Sequence, residues 1–133
     1  INETSIEPSV EASADYKMMS WDELKVLNNN SLFTVGGHTL YHDIMTSLEI
    51  DKIKANTDAT IALINFNLNQ KTVHYSYPEG QRNHYNKDII SMLIENGIVC
   101  SPSAIDGVNF KENLFNLKRI MPNFMKREFP FKF

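Results

Sequence analysis

Short apolar or β-branched runs alternate with amphipathic stretches from residue 20 to residue 120, and this alternation limits the architecture most. Extended runs are expected at residues 32–35, 72–77, 98–101 and 117–120. Between them lie helical patterns at 20–28, 48–68 and 86–96. Strands that alternate with helices imply βαβ units and a mostly parallel sheet. The fold class is therefore α/β. In such folds, binding residues gather where strands end and turns begin.

The element boundaries have local causes. Ser20-Trp21-Asp22-Glu23 is a capping box, with Ser at the N-cap and Glu three positions on. Trp21, Leu24 and Leu27 share one face of the helix that follows. In the long helix, Ile50, Ile53, Thr57, Ile61, Ile64 and Leu68 fall on one stripe, with Thr46 or Ser47 expected as its cap. In the third, Ile89, Ile90, Leu93 and Ile94 are expected inward and Gly97 just beyond its end. Pro78-Glu79-Gly80 stops the run at 72–77, and the stretch through Pro102 and Asp106-Gly107 reads as a loop. Residues 1–17 are poor in large apolar groups and read as a flexible lead to a domain over 18–133. The phenylalanines of the last five residues suggest a tail docked on the body.

Composition closes off several functions. A net charge of −3 argues against a general nucleic-acid binder. The single cysteine, Cys100, excludes an internal disulfide and reads as a small buried apolar residue. No apolar run approaches the roughly 20 residues that span a bilayer. The start at Ile1 suggests a processed chain or a fragment.

Chemistry concentrates in Gly36-Gly37-His38-Thr39-Leu40-Tyr41-His42-Asp43. Two imidazoles four residues apart, after an apolar run and two glycines, are a start to a site for zinc or another first-row divalent metal. An isolated pair of this kind is more often a set of surface or capping histidines, and the two glycines and the strand-end position add weight to the metal reading without displacing that default. Asp43 is placed to orient His42. His74 falls inside a strand and His84 in a polar loop, and neither pattern assigns them a role. Tyr75 and Tyr77 share a strand face and read as packing. Arg119 lies in a strand, where it needs a carboxylate partner.

Taken together, these motifs resemble the polysaccharide deacetylases related to chitooligosaccharide deacetylase, carbohydrate esterase family four. Gly37-His38-Thr39-Leu40-Tyr41-His42 is similar to that family's second motif, Gly-His-Ser/Thr-x-x-His. Tyr75-Ser76-Tyr77-Pro78-Glu79-Gly80 resembles the aromatic-x-Tyr-Pro-x-Gly wall of its substrate groove. Leu117-Lys118-Arg119-Ile120 resembles its closing Leu-x-Arg-Ile strand.

The resemblance implies a distorted (β/α) barrel that hydrolyses N-acetyl groups of a polysaccharide of N-acetyl amino sugars, in the envelope or cytoplasm of a bacterium. It implies His38 and His42 as ligands of a divalent metal, zinc by preference. It implies Tyr77, Pro78 and Gly80 at the substrate and Asp43 and Arg119 in support. The family's first motif, a strand ending Phe-Asp-Asp that supplies a ligand and the general base, has no counterpart, since the chain holds no Asp-Asp pair. The family's arginine beside Tyr-Pro and its late Leu-x-x-His are also unmatched.

A closed barrel takes about 200 residues or more. The expectation is thus an incomplete barrel, the carboxyl-terminal part of a deacetylase, nearly inactive alone. Its open sheet edge would favour a homodimer. The alternative is a non-catalytic carbohydrate- or partner-binding module with the same fold.

Overall fold

The computed structural model describes residues 17–110 and 113–120. The expected lead over 1–16 and the phenylalanine-rich end lie outside the described residues. Three helices, α1 (Trp21–Asn28), α2 (Ile50–Leu68) and α3 (Lys87–Glu95), precede two paired strands, β1 (Pro102–Asp106) and β2 (Leu117–Arg119).

Each helix starts and stops for a visible reason. At α1 the Glu23 amide donates to Ser20 Oγ at 3.3 Å, while the Ser20 amide donates to the Glu23 carboxylate at 2.6 Å. The Ser20 amide, and the Ser20 hydroxyl that donates to the same carboxylate at 2.8 Å, hold the Glu23 carboxyl below its usual range. The expected caps of α2 are used elsewhere. Ser47 Oγ donates to the Ile44 carbonyl and Thr46 Oγ1 to that of Asn83, so α2 begins after Glu49 with no side-chain cap. Its buried stripe is Ile53, Thr57, Thr60, Ile64 and Leu68, whereas Ile50 is exposed. Asn86 Oδ1 caps α3 by accepting from the Ile89 amide at 3.0 Å. α3 buries Ile89, Met92 and Leu93, not the expected Ile90 and Ile94, because the helical step puts i, i+3 and i+4 on one face.

The extended segments depart further from expectation. Residues 32–35 form no strand: Leu32 and Phe33 are exposed, and Asn30 Oδ1 takes the Leu32 amide at 3.0 Å, which holds a turn. Segments 72–77 and 98–101 pair through single bridges, Gly37 with Tyr75 and His74 with Cys100, both parallel. The 102–106 stretch expected as a loop is a strand, and proline is tolerated as its first residue. It pairs parallel with β2, Pro102 opposite Leu117 and Asp106 opposite Arg119, with an irregularity between.

Four segments thus stand side by side in chain order, all parallel, which bears out the expected α/β class. Among the described residues no pairing joins β2 back to the Gly37 segment, so the arc they form is open and the expected barrel is not closed among them. The core lies between this arc and the helices: Met45, Ile53, Tyr75, Tyr77, Ile89, Met92, Leu93 and Ile98. Gly37 is needed where the arc meets α2, since a Cβ there would stand 2.4 Å from the Tyr75 ring. No described helix is long and apolar enough to cross a membrane.

Candidate metal-binding site

The chain leaves the arc at Gly37 and turns through His38 to Asp43. Two residues of this turn adopt left-handed backbone, Thr39 at φ 58° and His42 at φ 59°. A β-branched residue rarely tolerates that conformation, so neighbouring bonds must hold it. The Thr39 amide donates to the Tyr75 hydroxyl at 2.9 Å, and the Leu40 amide donates to Asn56 Oδ1 of α2 at 2.9 Å. Thr60 Oγ1 donates in turn to the Asn56 carbonyl. Strand segment and helix therefore clamp the turn from both sides.

The clamp brings the two imidazoles together. The rings of His38 and His42 lie 4.9 Å apart between centroids, edge to face at 66°. His38 is half-buried and His42 is exposed at the surface. His38 Nδ1 stands 3.0 Å from the Ser76 carbonyl oxygen and 2.7 Å from Ser76 Oγ.

Other expected site residues fall differently. Asp43 was expected to orient His42, but its carboxylate accepts from Asn56 Nδ2 at 3.4 Å and so supports the clamp. Tyr77 is buried, its hydroxyl donating to the Phe115 carbonyl at 2.9 Å and its ring stacked on Tyr85 at 4.1 Å. Pro78 is buried beside it. Gly80 has φ +61° and packs so closely on β1 that a Cβ would meet the Ala104 amide at 2.6 Å. Arg119 Nε donates to the Ser103 carbonyl at 2.6 Å and so ties β2 to β1. His84 Nδ1 accepts the Gln81 amide at 3.3 Å within its own loop. Burial raises the phenols of Tyr75 and Tyr85, and pushes that of Tyr77 up to about 12. Cys100 is half-buried, less enclosed than expected, and burial raises its thiol.

Beside the turn, a groove of about 350 Å³ runs along the open face of the arc, lined by Thr34, Gly36, His74, Ser76, Cys100 and Leu117 among others. Neither His38 nor His42 lines it. Ser76 joins the two regions, touching His38 while facing the groove.

Two converging imidazoles suit a first-row divalent ion. Among the described residues, no group of three His, Cys, Asp or Glu side chains is placed to hold one. By themselves the two imidazoles fall short of the ligand number such an ion takes. Ser76, Tyr75 and Asn56 were not read as site residues from the sequence. A signal for Ser76 existed: with Tyr75 and Tyr77 turned into the core, the residue between them faces the other way.

The comparisons with known proteins bear on this arrangement. A family model described as polysaccharide deacetylase matches residues 5–100. The deacetylase PplD of Streptococcus pyogenes, solved in complex with acetate, superposes with a TM-score of 0.70 at 18% identity, over 80% of this chain and 46% of PplD. The deacetylase domain of BpsB from Bordetella bronchiseptica gives 0.71 at 14% identity, over 85% of this chain and 52% of that domain. The chain thus spans about half the length of these two solved structures. No curated protein matches it closely.

Proposed function

The chain belongs to the polysaccharide deacetylase family, and from that premise we propose that it carries the two-imidazole half of a metal centre that hydrolyses N-acetyl groups of an envelope polysaccharide. The convergence of His38 and His42 at 4.9 Å, at the end of a parallel segment, carries this reading.

In the reaction, water cleaves the amide C–N bond; acetate leaves and the sugar keeps its nitrogen as an amine. A bound divalent ion, zinc by ligand preference, supplies Lewis acidity toward the acetyl carbonyl. His38 and His42 would hold it. The left-handed turn keeps the two rings on one side of the chain, and Tyr75 and Asn56 prevent that turn from relaxing. Tyr77 has its side chain turned into the core, so its contribution to a substrate wall is through its main chain, with Pro78 and Gly80 setting the course of that wall.

A carboxylate ligand and a general base complete such a centre in the family, and the 133 residues hold no adjacent aspartate pair. The chain alone is therefore a weak metal binder with little or no deacetylase activity. The second reading, a carbohydrate- or partner-binding module that kept the fold, draws its support from the absence of a third ligand among the described residues.

Calorimetric titration with zinc tests the choice. We expect measurable binding to the chain and at least tenfold weaker binding to His38→Ala and to His42→Ala. Equal affinities in all three proteins would remove the metal role and favour the binding module.

A further inference from the structure

In a regular parallel ladder the bonds alternate along one segment. Here the Gly37 amide donates to the His74 carbonyl at 3.0 Å and the Ser76 amide donates to the Gly37 carbonyl at 2.8 Å. The next bond in sequence would run from the Thr39 amide to the Ser76 carbonyl. It does not form, because the Thr39 amide is given to the Tyr75 hydroxyl. The Ser76 carbonyl is left free of its ladder donor, and the His38 ring takes the place, with Nδ1 at 3.0 Å.

A carbonyl oxygen only accepts. The contact at 3.0 Å is therefore a hydrogen bond only in the tautomer whose Nδ1 carries the proton, since two lone pairs would otherwise face each other. The Ser76 hydroxyl, 2.7 Å from the same nitrogen, can turn its own proton away and accept as well. The hydroxyl suits either tautomer, so it follows the choice that the carbonyl makes. With Nδ1 protonated, the lone pair of neutral His38 sits on Nε2, the far side of the ring.

We propose that Ser76 is a positioning residue which, by receiving Nδ1–H of His38 on its carbonyl and hydroxyl, fixes the tautomer that presents Nε2 to a divalent metal. The proposal rests on the metal reading given above. The interrupted ladder is what makes it work: the carbonyl that would have continued the arc selects the ligand nitrogen instead. Partners of this kind orient a ligating imidazole and raise its basicity, and their loss typically weakens metal binding about 10- to 100-fold.

Long-range proton–nitrogen NMR on the metal-free, ¹⁵N-labelled full chain reads the tautomer directly. The spectra are recorded on the alkaline side of neutrality. His38 is expected to show a protonated Nδ1 and a bare Nε2. In Ser76→Ala the main-chain carbonyl remains, so the tautomer persists while zinc binding falls about tenfold. Ser76→Thr restores it. A protonated Nε2 in the unmodified chain, or Ser76→Ala binding zinc as tightly as the parent, overturns the proposal. If the unmodified chain binds no zinc, the metal reading fails, and the tautomer still decides the assignment to Ser76.

Discussion

Thr39 holds a conformation that its own side chain opposes. At φ 58° the β-branched carbon crowds the following carbonyl, at a cost of about 1–2 kcal/mol. Glycine removes that crowding but adds about 0.4–1 kcal/mol of unfolded-state entropy. Thr39→Gly should thus stabilise the protein by about 0.5–1 kcal/mol and raise the thermal midpoint by a few degrees, read in a calorimetric or circular-dichroism melt. A lower midpoint would mean that the threonine contributes contacts outweighing its strain. At this scale the sequence told much about the histidines and little about their supports. Spacing alone suggested that His38 and His42 converge. The partner of Asp43 was misjudged because adjacency along the chain does not fix direction: its carboxylate turns to Asn56 on α2. Ser76 was missed because its contact depends on which ladder bond fails to form.

Among the elements, α3 depends on one side chain for its start. Asn86 satisfies the Ile89 amide, and that residue is itself core. Asn86→Ala should lower stability by about 1 kcal/mol in urea denaturation, at an unchanged slope with denaturant. Helices were legible because a 3.6-residue period and capping side chains are written locally, as in the reciprocal box at Ser20 and Glu23. Extended segments were less so. Residues 32–35 are apolar enough for a strand, yet Asn30 draws the backbone into a turn and leaves Leu32 and Phe33 at the surface. Conversely, residues 102–106 looked like a loop because proline opens them. Their pairing comes from β2, 15 residues from Pro102 to Leu117 along the chain, where no local pattern could point to it.

For the molecule as a whole, three tyrosines make stability sensitive to alkali. Tyrosines in an unfolded chain ionise near pH 10, whereas burial holds Tyr77 protonated to about 12 and raises Tyr75 and Tyr85 as well. Between those values the unfolded state binds fewer protons than the native state, so stability falls as pH rises, and it is unaffected by these groups well below 10. Equilibrium denaturation from pH 9 to 12 should show a loss on the order of 2 kcal/mol from Tyr77. Tyr77→Phe should be less stable near neutrality, with the Phe115 carbonyl unpaired, and should lose less on the alkaline side. A parallel decline in both proteins would place the alkaline sensitivity elsewhere. The imidazole at 38 is secured by a residue 38 positions further along, with the whole of α2 looped out between them. Closing that excursion is entropically costly and precedes any benefit from the contact, so high contact order makes this corner a late arrival in folding. A short synthetic peptide spanning only the glycine-histidine stretch would lack both oxygens that orient the ring, and its histidines would sample both tautomers freely.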